Sequence, residues 1–170
     1  RILFMGHSQG GLTGTPFLAV EPRVTLAVLS GTGGNMIYSI LRKTEPVSIP
    51  EIVAIMLEEY EGIDEFHPVL SLIQLFIEPA DPVNYGRYLV QEPVAGATAK
   101  HVFLSQGLVD SFTPPVLTEA LAVAAGLDLV TPWLDPTPRL ALREGFAPLS
   151  RPVSGNLAEG AVTGVMLQYP

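Results

Sequence analysis

The chain has 170 residues, with 9 Lys and Arg against 17 Asp and Glu for a net charge of −8, three histidines and no cysteine. So acidic a balance leaves too few cations to track phosphates, which excludes nucleic acid and anionic membranes as expected partners. The absence of cysteine excludes a disulfide frame and thiolate chemistry.

The length suits a single domain, residues 1–170. A hydrophobic content of 48% with only 15% charged residues points to a large buried core or an apolar substrate surface. No integral membrane segment is expected, because the uncharged run 24–41 is broken by Ser30, Gly31, Thr32, Gly33, Gly34 and Asn35. The chain opens at Arg1 inside one apolar run and closes on another, 162–169, which reads as a piece of a longer protein.

Residues 2–5 form a short apolar run stopped by Gly6, and residues 25–29 form another stopped by Ser30 and Gly31. Both predict fully buried strands of the parallel kind. Residues 10–20 between them have the length of a helix, in which Pro16 should cost a hydrogen bond and introduce a kink.

Residues 32–100 then read as a mostly helical insertion. Ser48-Ile49-Pro50-Glu51 has the spacing of a capping box ahead of Ile52, Val53, Ile55, Met56, Leu57 and Tyr60. Residues 68–78 predict a second helix whose only polar stripe is Ser71, Gln74 and Glu78, the pattern of a buried or lid helix. Asp81-Pro82 opens a third. Residues 101–105 repeat the strand pattern, and 113–125 predict a helix with Thr113 as N-cap and Pro114 at the first helical position. Residues 125–160, carrying Pro132, Pro136, Pro138, Pro148 and Pro152, predict a long irregular connection before a last strand at 162–167. The order predicts an α/β architecture: a mostly parallel sheet of about four strands with flanking helices.

The motif that carries chemistry is Gly6-His7-Ser8-Gln9-Gly10, a G-x-S-x-G run placed directly after a predicted strand and directly before a helix. A serine on so tight a turn is exposed at the sheet's end, where a helix N-terminus offers N–H groups to a developing oxyanion. Ser8 is therefore the candidate nucleophile, and the backbone N–H of Gln9 a candidate oxyanion donor. Asp64, Glu65 and His67 lie in an acidic stretch with Glu58, Glu59 and Glu61 that reads as a solvated surface, so no metal is expected. Gly31-Thr32-Gly33-Gly34 fails as a nucleotide loop because the third glycine would fall at Met36, and no cofactor is expected.

On these residues the sequence resembles the α/β-hydrolase family, specifically bacterial lipase and esterase members with a G-H-S-Q-G elbow. The resemblance covers most of the chain. It implies a partial α/β-hydrolase fold beginning at the fifth of eight strands, with residues 32–100 as a helical lid or cap insertion. The first four strands, and the loop that supplies a second oxyanion N–H, would lie outside the chain. It also implies a triad acid just beyond the seventh strand, where residues 102–110 match the family's strand-Gly-x-x-Asp arrangement and make Asp110 the candidate. Asp128 and Asp135 are weaker candidates, lying in the irregular connection.

The family's order is Ser, then Asp or Glu, then His. His7, His67 and His101 all precede Asp110, so none occupies the base position, and the base would follow the strand that ends near Tyr169. The resemblance implies that His7 is directed away from the elbow tip. The expected function is hydrolysis of a small-molecule ester or lipid of short to medium acyl length through an acyl-enzyme. Amidase, thioesterase and peptidase chemistry use the same triad. The rival expectation is a non-catalytic fragment or degenerate hydrolase serving as a binding domain. Without the preceding strands the edge beside Leu3 would be unpaired, and self-association is expected.

Overall fold

The computed structural model describes residues 2–59 and 62–170; Arg1, Tyr60 and Glu61, which figure in the sequence reading, lie outside them. Strand β1 (Ile2–His7) leads through Ser8 into α1 (Gln9–Val20), and β2 (Val24–Ser30) follows. Helices α2 (Ile37–Arg42), α3 (Ile49–Leu57), α4 (Pro68–Ile77) and α5 (Val83–Val90) precede β3 (His101–Gly107). Helix α6 (Pro115–Ala125), β4 (Asp128–Val130) and β5 (Gly164–Tyr169) complete the order.

The strands form one five-stranded parallel sheet in the order β1-β2-β3-β5-β4. The sequence predicted a mostly parallel sheet of about four strands, and the sheet has five; the strand without a sequence counterpart is β4. It is only three residues long and follows α6 directly after Gly126, inside the stretch whose prolines read as irregular.

Side chains alternate across the sheet. One face carries Ala27, Leu29, Val102, Leu104 and Met166, all buried beneath α1, α5 and α6. On that face Gln106 and Gln168 are also buried, and Gln168 Nε2 donates to Gln106 Oε1 at 3.0 Å. Gln168 Oε1 accepts from the backbone of Leu134 and Asp135, which fastens the 131–160 connection to the sheet.

Among the described residues the other face is covered only at one side, where Val130, Val165 and Leu167 pack with Phe103 and Val153. At β1, Leu3 is 65% and Met5 75% exposed, so this strand is not fully buried as its apolar run predicted. An apolar run reports that a strand can be covered on both faces; what covers it is set elsewhere in the structure.

The helical segment divides into two parts. Helix α5 packs on α1 and α6 through buried Gly86, Leu89 and Val90, so it belongs to the layer on the sheet. Helices α3 and α4 lie outside that layer, with Ile55, Met56, Leu72, Leu75 and Phe76 exposed. On α4, Gln74 turns inward and donates to Asp81 Oδ2 at 2.9 Å. Asp81 is fully buried and also accepts from the backbone N–H groups of Asn35, Met36 and Val83. This carboxylate joins the loop after β2 to the start of α5.

Two predicted caps take other forms. Ser48 stands at the N-cap of α3 without a side-chain bond; Pro50 has already removed one of the donors a cap would satisfy. The N-cap of α6 is Pro114, not Thr113, because a residue before proline is pushed out of the helical region and Pro115 takes the first helical position.

Candidate active site

Ser8 sits where β1 ends and α1 begins, with φ 51° and ψ −122°. Positive φ is costly for a residue with a side chain, and Ser8 is held there from both sides. Its N–H donates to the Ser30 carbonyl at 2.9 Å, and its carbonyl accepts from the N–H groups of Gly11 and Leu12. Ser8 is the N-cap of α1 by position, yet its hydroxyl makes no cap bond. The N–H of Gln9, first in the helix, makes no hydrogen bond with another described residue.

Gly6 permits the tight approach of strand and helix. A Cβ there would stand 2.8 Å from the Gly10 carbonyl oxygen and 2.8 Å from the Phe4 ring. Gly10 differs: a Cβ there would meet nothing within 4 Å among the described residues. The flanking glycines of the motif are thus not equivalent in this structure.

Asp110 follows β3 at the same end of the sheet. Its Oδ1 accepts from Phe112 N–H at 2.9 Å and Thr113 N–H at 2.8 Å, which fixes the turn into α6. Its other oxygen has no hydrogen-bond partner among the described residues and stands beside Gly31. A Cβ on Gly31, whose φ is +52°, would lie 3.6 Å from Asp110 Oδ2 and 3.0 Å from His7 Cε1. The Thr113 hydroxyl donates to the Gly31 carbonyl at 2.8 Å, so Asp110 and Thr113 together hold this loop.

A cleft of about 430 Å³ opens over these groups, lined by His7, Ser30, Gly31, Ser105, Asp110 and Tyr169 among others. The register explains the convergence: His7, Ser30, Ser105 and Leu167 stand opposite one another across four strands, all on one face. His7 therefore lines the same cleft as Asp110. No hydrogen bond joins it to Ser8 or Asp110. The sequence reading took Ser30 and Ser105 as strand ends and Thr113 as a helix cap and missed their place at the site, although the period-two alternation of β1, β2 and β3 carries the first two.

The remaining candidates are engaged elsewhere. His101 Nδ1 accepts from Thr163 N–H at 3.0 Å near the start of β3, the opposite end of the sheet from Asp110. His67 caps α4, accepting from Val69 N–H at 3.3 Å. Asp128 pairs with Arg143 and Asn156, and Asp135 meets Gln168 through its backbone. Asp64 accepts from Phe66 N–H within its own turn. Among the described residues no group of three His, Asp or Glu side chains stands close enough to hold a metal ion, and no helix is long and apolar enough to cross a membrane.

Comparison with known proteins returns no matching family model and no matching curated protein. Among solved structures the chain is similar to a Mycobacterium tuberculosis puromycin-hydrolyzing peptidase, with 20% identity and a TM-score of 0.46 over 74% of this chain and 16% of that one. It is also similar to an alpha/beta fold family hydrolase from Bacillus anthracis str. Sterne, with 18% identity and a TM-score of 0.39 over 73% of this chain and 56% of that one. The chain thus spans less than two thirds of the length of each.

Proposed function

We propose that the protein is a serine hydrolase of carboxylic esters, or the part of one that carries nucleophile and acid. The observation that carries this reading is the strained backbone of Ser8, at a strand-to-helix tip, with a hydroxyl that does not serve as a helix cap. Ser8 Oγ attacks the ester carbonyl while its proton passes to an imidazole. The Gln9 N–H stabilises the oxyanion of the tetrahedral intermediate. Collapse expels the alcohol, which takes that proton, and water then hydrolyses the acyl-serine by the same route. Asp110 orients the imidazole through the oxygen left over from the turn and stabilises its cationic form. The base would be a histidine from outside these residues, as the family resemblance implies; His67 and His101 are occupied away from the cleft, and His7 makes no hydrogen bond to Ser8 or Asp110.

In the same proposal residues 32–100 form the insertion of a single hydrolase domain, with α3 and α4 as its cap and α5 in the layer on the sheet. Acyl-enzyme chemistry by this triad asks for no metal or cofactor. Helix α4 offers an apolar surface to an ester or lipid.

The test is mass-spectrometric detection of Ser8 phosphonylation by a fluorophosphonate probe, with imidazole supplied in solution. Modification of Ser8 that disappears in Ser8→Ala supports the reading; modification only at other residues overturns it. The alternative of a non-catalytic binding domain rests on the lack of any bonded histidine at Ser8. It predicts no labelling with or without imidazole.

A further inference from the structure

Pro16 has no role in the chemistry of the elbow, yet it lies on a second feature of the same helix. The face of α1 carrying Gln9, Leu12, Thr13 and Pro16 borders a groove of about 490 Å³ whose opposite wall includes Met36, Ile77 and Pro82. The groove reaches the elbow at Gln9, the residue after Ser8. From there to Pro16 it follows the helix for roughly 10 Å, at 1.5 Å per residue.

None of its lining residues is charged. Only Gln9 and Thr13 bring polar side chains, and the Thr13 hydroxyl is turned back onto its own helix, donating to the Gln9 carbonyl at 3.0 Å. The prolines Pro16, Pro79 and Pro82 add wall that has no N–H to offer. A sugar, a peptide amide or a charged group placed here would leave its polar atoms unpaired, whereas a hydrocarbon chain would not. The wall is also held in advance of any ligand: Asp81 binds the N–H of Met36 at 2.8 Å and that of Val83, next to Pro82, at 3.0 Å.

We infer that this groove receives the hydrocarbon acyl chain of the substrate, with Leu12, Pro16 and Ile77 as its walls and Thr13 at its outer rim. The inference rests on Ser8 being the nucleophile that the chain end approaches. It moves acyl recognition from the outward residues of α4, such as Leu72, Leu75 and Phe76, to the junction of α1 with the segment 77–82. Pro16 becomes part of a binding surface.

The experiment is photo-crosslinking of the 170-residue chain with a ten-carbon fatty acid bearing a terminal diazirine, mapped by peptide mass spectrometry. Crosslinks are expected on peptides containing residues 12–16 and 77–82, and they should fall several-fold in both Leu12→Trp and Thr13→Trp. Circular dichroism confirms that each variant is folded; Thr13 is exposed, so at least that change leaves the core untouched. Crosslinks confined to the α2–α3 cavity around Ile40 and Val53 or to the open sheet face, or crosslinks unchanged in both variants, would overturn the inference. Crosslinking does not use the Ser8 hydroxyl, so Ser8→Ala should retain the pattern. A chain that crosslinks in the groove but is never phosphonylated at Ser8 supports the groove while sinking the nucleophile, and the reverse result does the opposite.

Discussion

The backbone N–H of Ser8 donates to the Ser30 carbonyl at 2.9 Å, so the tip of the elbow is fastened to the last residue of β2. That bond, with the two that the Ser8 carbonyl accepts, keeps a serine at φ 51° where an unsupported residue would relax. Ser30 also lines the Asp110 cleft through its place on the strand face, so β2 supports both halves of the candidate site.

The two glycines of the motif should respond differently to alanine. Gly6→Ala forces a Cβ to within 2.8 Å of the Gly10 carbonyl and should destabilise the fold by about 1–3 kcal/mol. Gly10→Ala meets open space in a helix and should be neutral or gain up to about 1 kcal/mol. Urea unfolding midpoints of the two variants check this; equal losses would show that the packing at Gly6 is not what the motif requires.

Asp81 is 0% exposed and takes four donors, none of them a cation. Asp81→Ala strands the N–H groups of Asn35, Met36 and Val83 and leaves the Gln74 amide only its 3.3 Å bond to Glu78, and should cost about 2–4 kcal/mol. Hydrogen exchange at Met36 should accelerate in the same variant, because the loop after β2 loses its anchor. Unchanged protection at Met36 would mean that the loop is held by other contacts.

Glu21 gives the fold an acid-sensitive contact. Side-chain and backbone hydrogen bonds from Arg23 hold its carboxyl at about 2, against an ordinary 4.5. The unfolded chain binds that proton more readily, so the stabilisation is complete above pH 4.5 and is lost as pH falls toward 2. The stability difference between wild type and Glu21→Gln should therefore shrink through that window. Denaturation curves that stay parallel from pH 5 to about pH 2.5 would contradict it.

The outer edge of β1 has no partner strand among the described residues, and Leu3 and Met5 are exposed beside it. We expect concentration-dependent self-association in size-exclusion chromatography with light scattering, reduced by Leu3→Lys or Met5→Lys. A monodisperse monomer at high concentration would count against this expectation.

Much of the architecture was legible because apolar runs and glycine stops are local signals. Residues 2–5, 25–29 and 101–105 fall in strands, the run 162–167 overlaps β5 from Gly164 onward, and Gly6 and Ser8 mark the turn between β1 and α1. What escaped depended on partners distant in sequence. Strand β4 is three residues long and exists through pairing with β5, a contact that no local pattern announces. Asp81 reads locally as the start of a helix, whereas its bonds to Asn35 and Met36 span 46 and 45 residues. Gln106 and Gln168 look like surface residues until the register sets them side by side in the core. The candidate site divides in the same way. Ser8 and Asp110 stand in readable motifs, but the cleft joining Asp110 to His7, Ser30 and Ser105 comes from strand register.

The most direct test of the account is the rate of Ser8 phosphonylation with and without added imidazole, in wild type and Asp110→Asn. The asparagine can still accept from Phe112 and Thr113, so the turn is kept while the charge beside the cleft is removed. If Ser8 is the nucleophile and Asp110 the group that orients a base, imidazole should accelerate labelling of wild type on the order of tenfold or more. The same addition should do little for Asp110→Asn, and Ser8→Ala should not be labelled. Equal acceleration in wild type and Asp110→Asn, or label carried by residues other than Ser8, would contradict the account.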